Sequence, residues 1–116
     1  MARTTFTGDL ESPSHELVLD LVRAWLGRPE LTMTLRRTGY ETTFADDTIE
    51  VYCYEANGGG DSFFLIEGVV EADPAAAAQR LAGLATACRA AGLACSIDYA
   101  EADADGAAIG PESSIE

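Results

Sequence analysis

Few residues in this chain have the chemistry of a catalyst, and their surroundings decide what they can do. The single histidine, His15, falls at the start of a helical pattern. Imidazole titrates near neutral pH and could exchange a proton there. A catalytic role needs a partner, and Glu11 and Glu16 are merely its nearest carboxylates in sequence. No Ser-His-Asp order or nucleophile elbow surrounds it, so a solvated histidine at a helix start is the plainer reading. Glu67 follows the apolar run Phe63-Phe64-Leu65-Ile66. Burial there would raise its pKa, as a general acid requires. Cys53, Cys88 and Cys95 show no C-x-x-C spacing and fall on apolar faces, where cysteine behaves as a small hydrophobe. Asn57-Gly58-Gly59-Gly60-Asp61 is glycine-rich, but it joins two strands and lacks the Lys-Ser/Thr of a phosphate loop. These residues identify no reaction.

Near the C-terminus, Glu101, Asp103, Asp105, Gly106 and Glu112 fall at positions 1, 3, 5, 6 and 12 of a twelve-residue stretch. The spacing resembles the EF-hand calcium loop, D-x-D-x-D-G-x5-E, and the resemblance implies weak calcium binding. It departs from that pattern in four ways. Glu101 stands where the first Asp belongs, Ile109 is one place past the usual apolar position, Gly110-Pro111 would obstruct an exiting helix, and a strand precedes the loop. The competing reading is an Asp-Gly turn in an acidic tail. No metal or cofactor site is expected.

Two helices are legible. Leu17, Val18, Leu21, Val22 and Trp25 recur at helical spacing after Ser12-Pro13, and Gly27 with Pro29 ends the run. Ala77, Leu81, Leu84 and Cys88 do so after Asp73-Pro74, ending at Gly92. Capping side chain, early proline and terminal glycine frame each one. The flanking segments alternate with period two, as half-buried strands do. They are Thr4 to Leu10, Leu31 to Arg36, Phe63 to Glu71 and Leu93 to Ala100. Tyr40 to Phe44 and Thr48 to Tyr54 read as an inserted hairpin. The expectation is an α+β, ferredoxin-like antiparallel sheet built from two split βαβ units with that hairpin inserted and both helices on one face. Residues 1–102 would form a single domain and residues 103–116 an acidic Ala/Gly-rich tail.

That fold would leave a sheet face uncovered by helices. If Ile49, Val51 and Cys53 point inward, Glu50, Tyr52 and Tyr54 point outward, joined by Glu67 and Asp98. Aromatics rimmed by carboxylates suit a protein partner or self-association. The chain carries 20 acidic and 7 basic residues, net −13 over 116 residues. Such a charge repels nucleic acid and anionic membranes, and RNA-binding sheets with exposed aromatics are basic where this one is acidic. With no apolar run of membrane-spanning length, no apolar signal core at the N-terminus and unpaired cysteines, a cytoplasmic location is expected. The functional expectation is a small acidic binding module that docks a basic protein, in the manner of immunity proteins or inhibitors that imitate nucleic-acid charge. The alternative is a homodimer packed through its open sheets, with room to enclose a small ligand or weak active site. Catalysis by His15 or Glu67 ranks below both.

Overall fold

Strand β1 (Arg3–Leu10) is followed by α1 (His15–Leu26), β2 (Thr34–Arg36), β3 (Gly39–Ala45), β4 (Ile49–Gly58), β5 (Asp61–Val70), α2 (Pro74–Ala90), β6 (Cys95–Ala102) and β7 (Ser113–Ile115). The computed structural model describes residues 2–12, 14–58 and 61–115. The fold is mixed α+β: one seven-stranded sheet in the order β2-β3-β4-β5-β1-β6-β7, antiparallel at every pairing, with two helices.

Each helix starts where a side chain satisfies its free N–H groups. Ser14 caps α1 by accepting from the Leu17 N–H, and Asp73 caps α2 by accepting from the Ala76 N–H ahead of Pro74. The first cap lies two residues beyond Ser12, whose hydroxyl instead accepts from the Ser14 N–H. The proline read as opening α1, Pro13, lies outside the described residues. Gly27 ends α1 in the left-handed conformation, φ +67°, which costs glycine little.

Buried side chains of both helices, Val18, Leu21, Val22, Ala77, Leu81, Leu84 and Cys88, form one cluster with Phe6, Leu10, Ile49, Val51, Cys53, Phe64, Ile66, Val70 and Ile97. The strand members alternate along β1, β4 and β5, so a single sheet face supplies the core. Burying a side chain such as Leu81 contributes about 2 kcal/mol. Trp25 joins the helices, its indole N–H donating to the Arg80 carbonyl at 2.8 Å and its ring standing edge-on to Phe6. Leu17, read as part of the α1 stripe, is exposed.

The segment expected to form a strand over Leu31 to Arg36 does so only at Thr34–Arg36, paired with Gly39–Glu41 at the sheet edge. Leu31 and Met33 instead pack at the margin of the core. Strands β4 and β5 pair as far as Gly58 and Asp61; Gly59 and Gly60 of the glycine-rich string lie outside the described residues. The C-terminal segment returns along β6, pairing Ile97 with Ile115 and Asp98 with Ser114. Both edges of the sheet are therefore three-residue strands, too short to template pairing with another chain. Among the described residues, no helix is long and apolar enough to cross a membrane.

Candidate functional site

The inward set Ile49, Val51 and Cys53 on β4 leaves Glu50, Tyr52 and Tyr54 on the opposite face. Cross-strand register then assembles that face. Tyr52 pairs with Glu67, Glu67 with Thr7, Thr7 with Asp98 and Asp98 with Ser114, one line across five strands. The neighbouring lines are Glu41–Tyr54–Leu65–Asp9–Ser96 and Ala45–Glu50–Val69–Thr5–Ala100. All five residues singled out from the sequence thus share one face. Glu50, Tyr52, Tyr54 and Glu67 are near neighbours, while Asp98 stands two strands beyond Glu67, about 10 Å away.

The two tyrosines are fixed rather than loose. Their rings stack with centroids 4.6 Å apart and planes 24° from parallel. The Tyr52 hydroxyl donates to the Glu41 carboxylate, which also accepts from Arg36 Nε at 2.7 Å. The bond to Glu41 pushes the Tyr52 pKa above 10.0, with desolvation and the Glu41, Tyr54 and Glu67 charges adding to it. Tyr54 is pushed the same way by desolvation and then by Glu67. Glu41 moves oppositely: the Tyr52 hydroxyl and Arg36 hold it below its usual 4.5.

Charge on the face is one-sided. The seven strands contain two basic residues, Arg3 and Arg36, and both are engaged, with Glu71 at 2.8 Å and Glu41 at 2.7 Å. Among the described residues, none of Asp9, Glu50 and Glu67 has an ion-paired arginine. Asp98 accepts from the Ser114 hydroxyl at 2.6 Å.

The sequence did not reveal that the C-terminal segment folds over one corner of this face. Arg3 Nη1 donates to the Ala104 carbonyl at 2.6 Å, and a Cβ placed on Gly106 would lie 3.5 Å from Val69 Cγ2. Ala100 and Ala102, on the side away from the helices, are accordingly only 5% and 7% exposed. Asp103 organises the turn by accepting from the Asp105 and Ala107 N–H groups at 2.9 and 3.0 Å, with Gly106 at φ +84°. The EF-hand-like string is therefore an Asp-Gly turn. Among the described residues, no three His, Cys, Asp or Glu side chains converge as metal ligands.

The other candidates lie elsewhere. His15 is half-buried: its ring lies flat against Tyr40, centroids 3.6 Å apart and planes 7° from parallel, tying α1 to β3. Glu55 accepts from the Tyr40 N–H close by. Glu67 is half-buried on the helix-free face, across two pairings from Asp98 and far from His15. Cys53 and Cys88 are buried and their thiols pushed up to about 12 by desolvation, while Cys95 is half-buried. Thiols held protonated in this way are poor nucleophiles. In comparisons with known proteins, no family model and no curated protein matches this chain.

Proposed function

We propose that this chain is a binding module that docks a basic protein partner on the sheet face away from the helices. The observation that carries it is the one-sided charge: both arginines of the sheet are neutralised by neighbours, whereas Asp9, Glu50 and Glu67 have no counter-charge and flank a preorganised tyrosine pair. Rigid aromatics supply contact area with little entropy to lose, and uncompensated carboxylates steer a cationic surface toward them. Packing two copies of this face together would bring two sets of carboxylates without counter-charge into one interface, which favours a different, basic partner over self-association. A cytoplasmic setting fits a module of this kind.

The fold that presents the face is, in this reading, the ferredoxin-like split βαβ arrangement. Supporting it, β1, β4, β5 and β6 lie in the order β4-β5-β1-β6, with α1 following β1 and α2 between β5 and β6. In this arrangement β4 is one of the four core strands, so the added strands are β2 and β3, extending the sheet outward from β4, and not the hairpin of Tyr40 to Phe44 with Thr48 to Tyr54.

Binding of a basic protein partner is expected to weaken about tenfold or more between low and physiological salt, and to be lost in a Glu50→Lys, Glu67→Lys variant. Salt-independent binding, or binding that survives both charge reversals, would contradict the reading. Sedimentation that shows a dimer persisting through dilution would support sheet-to-sheet self-association in its place.

A further inference from the structure

One part of the face is recessed. A hollow of about 350 Å³ opens beside the tyrosine pair, walled by Thr43, Ala45, Glu50 and Tyr52 and floored by the backbone of Val51 and Gly68. Gly68 lies in the inward series of β5 with Ile66 and Val70, where a Cβ would overlap the Glu50 carbonyl oxygen and crowd Phe6, so the β4 and β5 backbones run close together beneath the hollow. The wall is rigid because Tyr52 is tethered through its hydroxyl to Glu41 and backed by the Tyr54 ring.

Residues 50, 52 and 54 follow one another on the same side of β4. Tyr54 therefore covers the side of Tyr52 turned away from Glu50, and the side turned toward Glu50 borders the hollow. One π face and one carboxylate without a cation thus look into the same space.

Resting on the docking reading above, we propose that this hollow seats an arginine side chain of the basic partner, its guanidinium lying on the Tyr52 ring and its N–H fork on the Glu50 carboxylate. Arginine fits where lysine does not: its planar, weakly hydrated head stacks on an aromatic ring while its edge donates two parallel hydrogen bonds to a carboxylate. The chain uses the same combination within itself, where the Arg28 guanidinium lies 5.2 Å from the Phe44 ring centroid and 3.7 Å from the Asp46 carboxylate.

The test is a pair of fluorescently labelled peptides of equal length and charge, one alternating glycine with arginine and the other glycine with lysine. Both are titrated into the full chain at low salt and read by anisotropy. The arginine peptide is expected to bind about tenfold more tightly. Tyr52→Leu and Glu50→Gln are each expected to reduce that preference to about twofold or less, with Trp25 emission confirming that each variant is folded. Equal affinities for the wild type, or a preference that survives both substitutions, would overturn the arginine seat and leave the docking reading standing. Failure of both peptides to bind would overturn both readings.

Discussion

Tyr52 is held from two directions, by the Glu41 carboxylate at its hydroxyl and by the Tyr54 ring against its face. Both contacts leave a titration signature. In a tyrosinate-absorbance titration, Tyr52 and Tyr54 are expected to ionise above 10.0, and Glu41→Gln is expected to bring Tyr52 back toward that value. Folded Tyr52 holds its proton more tightly than the unfolded chain does. Its stabilising contribution is therefore complete below pH 10.0 and lost as the pH rises through the higher folded value. Glu41 has the opposite sign: its contribution is complete above its ordinary 4.5 and lost as the pH falls through the lower folded value. Tyrosines that all titrate together at the ordinary value would show that the pair is not preorganised.

Two glycines separate what the elements need from what they tolerate. At Gly68 the backbones of β4 and β5 approach so closely that any side chain meets the Glu50 carbonyl. Gly68→Ala is expected to lower unfolding free energy by about 2 kcal/mol or more in a denaturant titration. In α2, a Cβ at the exposed Gly83 would make only ordinary contact with Trp25, at 3.8 Å. Gly83→Ala is expected to raise stability by about 0.5–1 kcal/mol. Equal effects at the two positions would mean that the close approach at Gly68 is not what that glycine serves.

At this same scale, most of the fold could be read from local signals. Asp73-Pro74, Gly27 and the period-two stretches act within a few residues, so the two helices and the strands from Thr4, Tyr40, Thr48 and Phe63 were legible, as was the sharing of one face by Glu50, Tyr52, Tyr54, Glu67 and Asp98. What escaped depends on distant partners. The tail has few apolar residues, and its strand joins the sheet through Ile115 beside Ile97. Its turn is held by Arg3, 101 positions away, and His15 finds Tyr40 only when β3 arrives beside α1. Similarly, the alternation of Leu31 to Arg36 yields to packing at Leu31 and Met33, which shortens β2.

Over the whole molecule, net charge alone attracts cations to every surface, since Glu16, Asp20, Glu30 and Asp47 also stand exposed away from the proposed face. What distinguishes the helix-free face is fixed aromatics among carboxylates without counter-ions, its corner closed by the C-terminal turn. Location therefore tests the account more directly than affinity. The measurement is an amide chemical-shift map of the labelled chain titrated with an arginine-rich peptide at low salt. The account predicts that the largest shifts cluster at Thr7, Glu50, Tyr52, Glu67 and Asp98 on β1, β4, β5 and β6, with α1 and α2 little changed. Shifts centred on the helices, or spread evenly over every acidic residue, would contradict it.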